Sequence, residues 1–120
     1  MLGAFYNALG NQSKTEKCYF MYIKMIEKFY SPTSLEVSNA FFLMGVYYSE
    51  KGPNFIHKSI ACFGKSLSIR EKKFGNDPSC ADCLVNMGIL YKKQGMLNHA
   101  EEVLKRALGI RVGSIGPESL

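Results

Sequence analysis

A ten-residue pattern occurs three times: MLGAFYNALG at Met1–Gly10, LMGVYYSEKG at Leu43–Gly52 and NMGILYKKQG at Asn86–Gly95. Each copy has an apolar residue, Gly, two hydrophobic residues, Tyr, three variable residues and a second Gly. The copies begin at residues 1, 43 and 86. A chain that repeats itself at a near-constant period is built from similar units in series.

Each copy reads as the end of a helix. In the third, Val85, Met87, Gly88, Ile89, Leu90 and Tyr91 precede polar Lys92, Lys93 and Gln94. Gly95 then stops the helix, because glycine enters the left-handed region without steric cost. Leu97, Ala100, Val103, Leu104, Ala107 and Leu108 follow at the spacing of an amphipathic helix. The unit is therefore a helical hairpin with a short turn.

The inner glycines Gly3, Gly45 and Gly88 lie inside helices, where Gly costs about 1 kcal/mol relative to Ala. A recurrent cost implies a recurrent close approach of the partner helix. That helix supplies small residues at Thr15, Ser59 and Ala100, then large ones at Tyr19, Phe63 and Leu104. Ser66 and Ala107 are small again, and Tyr22 departs from the pattern. Contacts between the small residues are expected to set the helix separation. One hairpin cannot bury its apolar face alone, whereas stacked copies can.

The chain has 120 residues, 47% of them hydrophobic and 21% charged, which suits a folded domain with a modest core. No run approaches the roughly 18 apolar residues of a membrane span, and no secretory leader is visible at the start. The net charge of +5 is spread along the chain rather than clustered with stacking aromatics, so neither nucleic acid nor membrane is an expected partner. Cys18 and Cys62 occupy equivalent repeat positions, with Val103 in the third, and so read as small core hydrophobes. Reduced thiols lead to the expectation of a cytoplasmic protein.

Gly, two residues and Tyr, followed on the next helix by a small residue, a large one and another small one, is similar to the tetratricopeptide repeat. "SLSIREKKFGNDP" (Ser66–Pro78) and "ALGIRVGSIGPES" (Ala107–Ser119) resemble the joint of the 42-residue variety found in kinesin light chains. The middle hairpin turn carries two extra residues around Pro53 and Asn54, and the usual loop His before Pro78 is absent. The resemblance implies an all-α superhelix of stacked antiparallel hairpins, over about 1–30, 35–74 and 78–112. The expected helices span 1–9, 12–29, 35–51, 55–73, 78–94 and 97–112. "PTSL" at Pro32 and "PESL" at Pro117 are equivalent, so a longer array of such repeats is expected.

No constellation suggests catalysis, a cofactor or a metal. "CADC" (Cys80–Cys83) is half a zinc site without its other half, and no strand precedes it as a redox motif requires. His57 and His99 lack a nucleophile or paired carboxylate, and "GKS" at Gly64–Ser66 lacks the first glycine of a phosphate loop.

A binding surface remains. In this repeat family the first helix of each pair lines a concave groove that holds extended peptide. The matching positions are Asn39, Phe42, Leu43, Val46, Ser49 and Glu50, then Asp82, Val85, Asn86, Ile89, Lys92 and Lys93. A partner with an acidic stretch and a hydrophobic anchor is expected. The clamp that holds carboxylate termini of chaperones would fall on Ala4, Leu43, Asp82 and Asn86, where there is no cation. Of the groove asparagines of kinesin light chains only Asn86 is matched. The expected role is a protein-binding scaffold or adaptor, not an enzyme. The alternatives are a docking domain of a multidomain enzyme and a subunit of a cytoskeletal or ciliary assembly. Val103, Leu108 and Ile110 are expected to leave an apolar stripe on the last helix, for self-association or for docking Ile115 and Leu120.

Overall fold

The computed structural model describes residues 12–115. They form five helices: α1 (Gln12–Tyr30), α2 (Leu35–Glu50), α3 (Ile56–Phe74), α4 (Pro78–Lys93) and α5 (Leu97–Ile115). The helix expected over residues 1–9 lies outside the described residues. The two extra turn residues form a short 3-10 turn, Pro53–Phe55, so α3 begins at Ile56 rather than at residue 55.

The helix starts follow from their caps. The Ser34 hydroxyl accepts a hydrogen bond from the Val37 amide at 3.2 Å, and the Asp77 carboxylate accepts one from the Ser79 amide at 2.9 Å. Each satisfies a donor that the first helical turn leaves without a partner. Pro78 stands in the first turn of α4, where a missing amide costs nothing. Gly95 closes the α4–α5 hairpin with φ of 77°.

Helices α2 and α3 pack along each other, as do α4 and α5, while α1 on α2 and α3 on α4 form lighter joints. Within each hairpin the inner glycine lets the partner helix close in. A Cβ on Gly45 would stand 3.0 Å from the Phe63 ring, and one on Gly88 would stand 2.6 Å from Leu104 Cγ. The large residue, not the small one, thus occupies the space above the glycine. Ala100 is buried, yet it is Leu104 that covers Gly88. In the first of these hairpins the small residue has a second task. The Ser59 hydroxyl donates to the Gly45 carbonyl at 2.6 Å, tying α3 to α2. Phe63 is fully buried there, a contribution of about 1.5–3 kcal/mol from its area alone.

Ile26, Val37 and Ile69 join α1, α2 and α3 in one apolar cluster. Leu67, Cys80, Ala81, Leu84, Ala107 and Ile110 join α3, α4 and α5 in another. Cys18, Cys62, Cys80 and Cys83 are free thiols, and the last three are buried. Ile110 is buried in this second cluster, contrary to the expected apolar stripe, because it points back at α4. Val103 is half-buried against the same cluster, while Leu97 and Leu108 are well exposed. The side chain of Ile115 and residue Leu120 lie outside what is described. Among the described residues no helix is long and apolar enough to cross a membrane.

Candidate peptide-binding groove

The first helices of two successive hairpins, α2 and α4, carry the expected groove residues. Phe42 connects them: its ring packs partly buried against the clusters around Leu84 and Leu90. It meets Phe63 edge-on at 5.2 Å, with the Arg70 guanidinium 4.9 Å from its centroid. Phe42 is therefore held in the joint between hairpins and offers only part of its edge to the groove. Val46 and Val85 are likewise half-buried in these clusters.

Leu43 and Ile89 remain open, 42% and 47% exposed. Both are large aliphatic side chains left exposed on successive first helices, apolar surface of the kind a partner covers. Polar groups flank it. Asn39 and Glu50 are exposed, and Asn39 Oδ1 accepts from Arg70 Nη2 at 3.2 Å. Arg111 pairs with the Asp82 carboxylate at 2.9 Å. The Asn86 amide donates to the Asp82 carbonyl at 2.8 Å. Lys92 and Lys93 are exposed at the far end. Lys93 lines a cleft of about 290 Å3 with Ser49, Gly52, Pro53 and Ile56, which brings the ends of α2 and α4 to one site.

A buried polar joint behind the groove was not expected from the sequence. Arg70 of α3 is only 7% exposed. Its Nε donates to the Ser38 hydroxyl at 3.0 Å and its Nη1 to the Ser79 carbonyl at 2.9 Å. The same Nη1 lies 3.4 Å from Cys83 Sγ. The Ser38 hydroxyl in turn donates to the Ser66 carbonyl at 3.1 Å and lies 2.9 Å from the Ser66 hydroxyl. One side chain thus ties α2, α3 and the first turn of α4, and fixes the angle at which the groove helices meet. Its signal in the sequence is the recurrence of Ile-Arg at Ile69–Arg70 and Ile110–Arg111. The Arg111–Asp82 and Arg70–Asn39 contacts are the same contact one repeat apart.

Burial raises the Cys83 thiol above its ordinary value, as it does Cys62, which is pushed up to about 11. Among the described residues no group of three or more His, Cys, Asp or Glu could hold a metal ion.

Residues 55–111 match the family model of the tetratricopeptide repeat. Among solved structures the chain is similar to BtubC (BKLC) from P. vanneervenii, with a TM-score of 0.79 at 24% identity. The likeness covers 96% of this chain and 46% of that one, so the chain spans about half the length of BtubC. No curated protein matches the sequence. At this identity the likeness establishes the fold alone.

Proposed function

Because the chain belongs to the tetratricopeptide repeat family, whose repeats generally mediate protein–protein interactions, we propose that it is a scaffold holding an extended peptide along α2 and α4. The observation that carries this reading is the exposed pair Leu43 and Ile89 on successive first helices. A hydrophobic anchor of the peptide covers that pair, and an acidic stretch lies against Lys92 and Lys93. The role is binding rather than catalysis, in the cytoplasm. The repeat period and the recurring Ile-Arg support the kinesin light chain-like variety as its subclass.

Leu43→Asp with Ile89→Asp tests the apolar pair, and Lys92→Glu with Lys93→Glu tests the edge. Both pairs are exposed, so helix content by circular dichroism should not change. Each double variant should lose peptides that the wild type retains on an array, the second pair selectively losing the acidic ones. Full retention of every peptide by both would sink the reading. Phe42→Ala is a poorer probe, since that ring also fastens the hairpins. The exposed Leu97 and Leu108 favour self-association through α5 as a second reading. Light scattering over a concentration series should then show association that Leu108→Glu abolishes, and a monomer at every concentration would exclude it.

A further inference from the structure

None of the groove residues lines the cleft of about 230 Å3 that lies between α1 and α3, floored by α2. Phe20, half exposed, and Phe41, half-buried, stand at its sides, and buried Met44 and Tyr48 form its base. Its ends differ in charge. Lys58, at one end, lies 3.6 Å from the Glu16 carboxylate, which also accepts from the Tyr48 hydroxyl at 2.8 Å. Lys65, at the other, lies 5.0 Å from the Phe41 centroid and has no carboxylate partner among the described residues.

The next repeat shows what is particular here. The position of Lys65 is taken there by Arg106, which pairs with Glu71 at 3.0 Å. Glu27 is the counterpart of Glu71, yet Lys65 turns to the cleft instead. The counterpart of Phe20 is Gly64, so the wall is absent one repeat later. Of the α1–α3 and α3–α5 joints, the first alone combines an aromatic wall with an uncommitted cation.

We propose that this cleft is a docking site, separate from the groove, for a partner peptide that inserts one large apolar side chain between Phe20 and Phe41 and sets an acidic residue against Lys65. The apolar base excludes water around the inserted group, and the ammonium supplies the only charge in the cleft still without an opposite partner. At the far end Lys58 is already paired with Glu16, so the acidic residue goes to Lys65 and the peptide runs in one direction.

Fluorescence anisotropy tests the proposal with a short labelled peptide carrying Phe-Glu-Glu in a Gly-Ser background, titrated with the intact chain. Ala61→Trp, at an exposed position on α3, fills the cleft. It should weaken binding by at least about tenfold, as should Lys65→Glu. A peptide with Phe-Lys-Lys should regain affinity for Lys65→Glu alone, which a merely misfolded variant could not reproduce. In the background of Leu43→Asp, which disables the groove, the same roughly tenfold loss on Lys65→Glu should persist. The proposal is overturned by unchanged binding in both cleft variants, by equal binding of a peptide with Ser in place of Phe, or by no saturable binding. Loss of binding with Leu43→Asp alone would place the peptide in the groove and overturn it equally.

Discussion

Replacing Arg70 separates two effects that oppose each other at the joint between hairpins. The guanidinium donates to the Ser38 hydroxyl, the Ser79 carbonyl and Asn39 Oδ1, and stacks on Phe42. Hydrogen bonds from a charged donor contribute about 1.5–3 kcal/mol each. Against that stands the desolvation of a cation that is only 7% exposed and, among the described residues, has no carboxylate at ion-pair distance, Asp77 acting on it only from farther off, a penalty of several kcal/mol. Arg70→Ala removes the donors and the stem together. Ser38 keeps Ser66 as a partner, and the Ser79 carbonyl, in the first turn of α4, can reach water, so the cost is about 3 kcal/mol rather than the full sum. Arg70→Met keeps the stem over Phe42 and removes the buried charge, so it should cost only about 1–2 kcal/mol. Arg70→Lys should resemble alanine more than methionine, since an ammonium cannot span acceptors on both α2 and α4. Urea unfolding followed by far-UV circular dichroism measures all three. The alanine variant should also unfold with a smaller m-value, because its hairpins no longer open as one unit. An alanine variant within about 0.5 kcal/mol of the wild type, or a methionine variant less stable than it, would refute the reasoning.

Gly88→Leu should destabilise by about 1–3 kcal/mol, since even its Cβ meets Leu104 Cγ at 2.6 Å, and Leu104→Ala should restore part of the loss. Unchanged melting would show that the close approach is dispensable. The Ser79 hydroxyl beside Asp77 and the Ser79 amide donating to it hold the Asp77 carboxyl below the usual carboxylate range. Its contribution is complete above the unfolded value of about 3.9 and is lost as pH falls through the lower folded value. Asp77→Asn keeps an acceptor that does not titrate, so its melting temperature should fall less steeply than the wild type's in that acid range; parallel curves would remove Asp77 from the account.

The helices were legible because their signals are local. The repeated decapeptide, Gly95 and the positions of Pro78 and Ala100 depend on neighbours within a turn or two. Which residue covers the inner glycine was not legible. That depends on how far the partner helix is shifted along its axis, and the shift sets Leu104, not Ala100, over Gly88. The groove positions followed from the family's pattern, but their exposure did not. Phe42 and Leu43 are adjacent in sequence, yet one is drawn into the joint and the other faces outward. Arg70 was the hardest to read. An arginine on an amphipathic helix ordinarily marks the solvent face, and its partners Ser38 and Asn39 lie 32 and 31 residues away.

The acceptors around Arg70 are a carbonyl, a hydroxyl, a carboxamide and a thiol whose ionisation burial disfavours. None of them changes charge between mildly acidic and neutral solution. Mobile ions also screen buried contacts far less than exposed ones. The Arg70 joint between α2 and α4 is thus little affected by ionic strength, while the pull of Lys92 and Lys93 decays over a Debye length of about 8 Å at physiological salt. A salt titration of partner binding on this chain therefore measures attraction at a fixed geometry. For a peptide held in the proposed groove, its slope would count the charges set against Lys92 and Lys93.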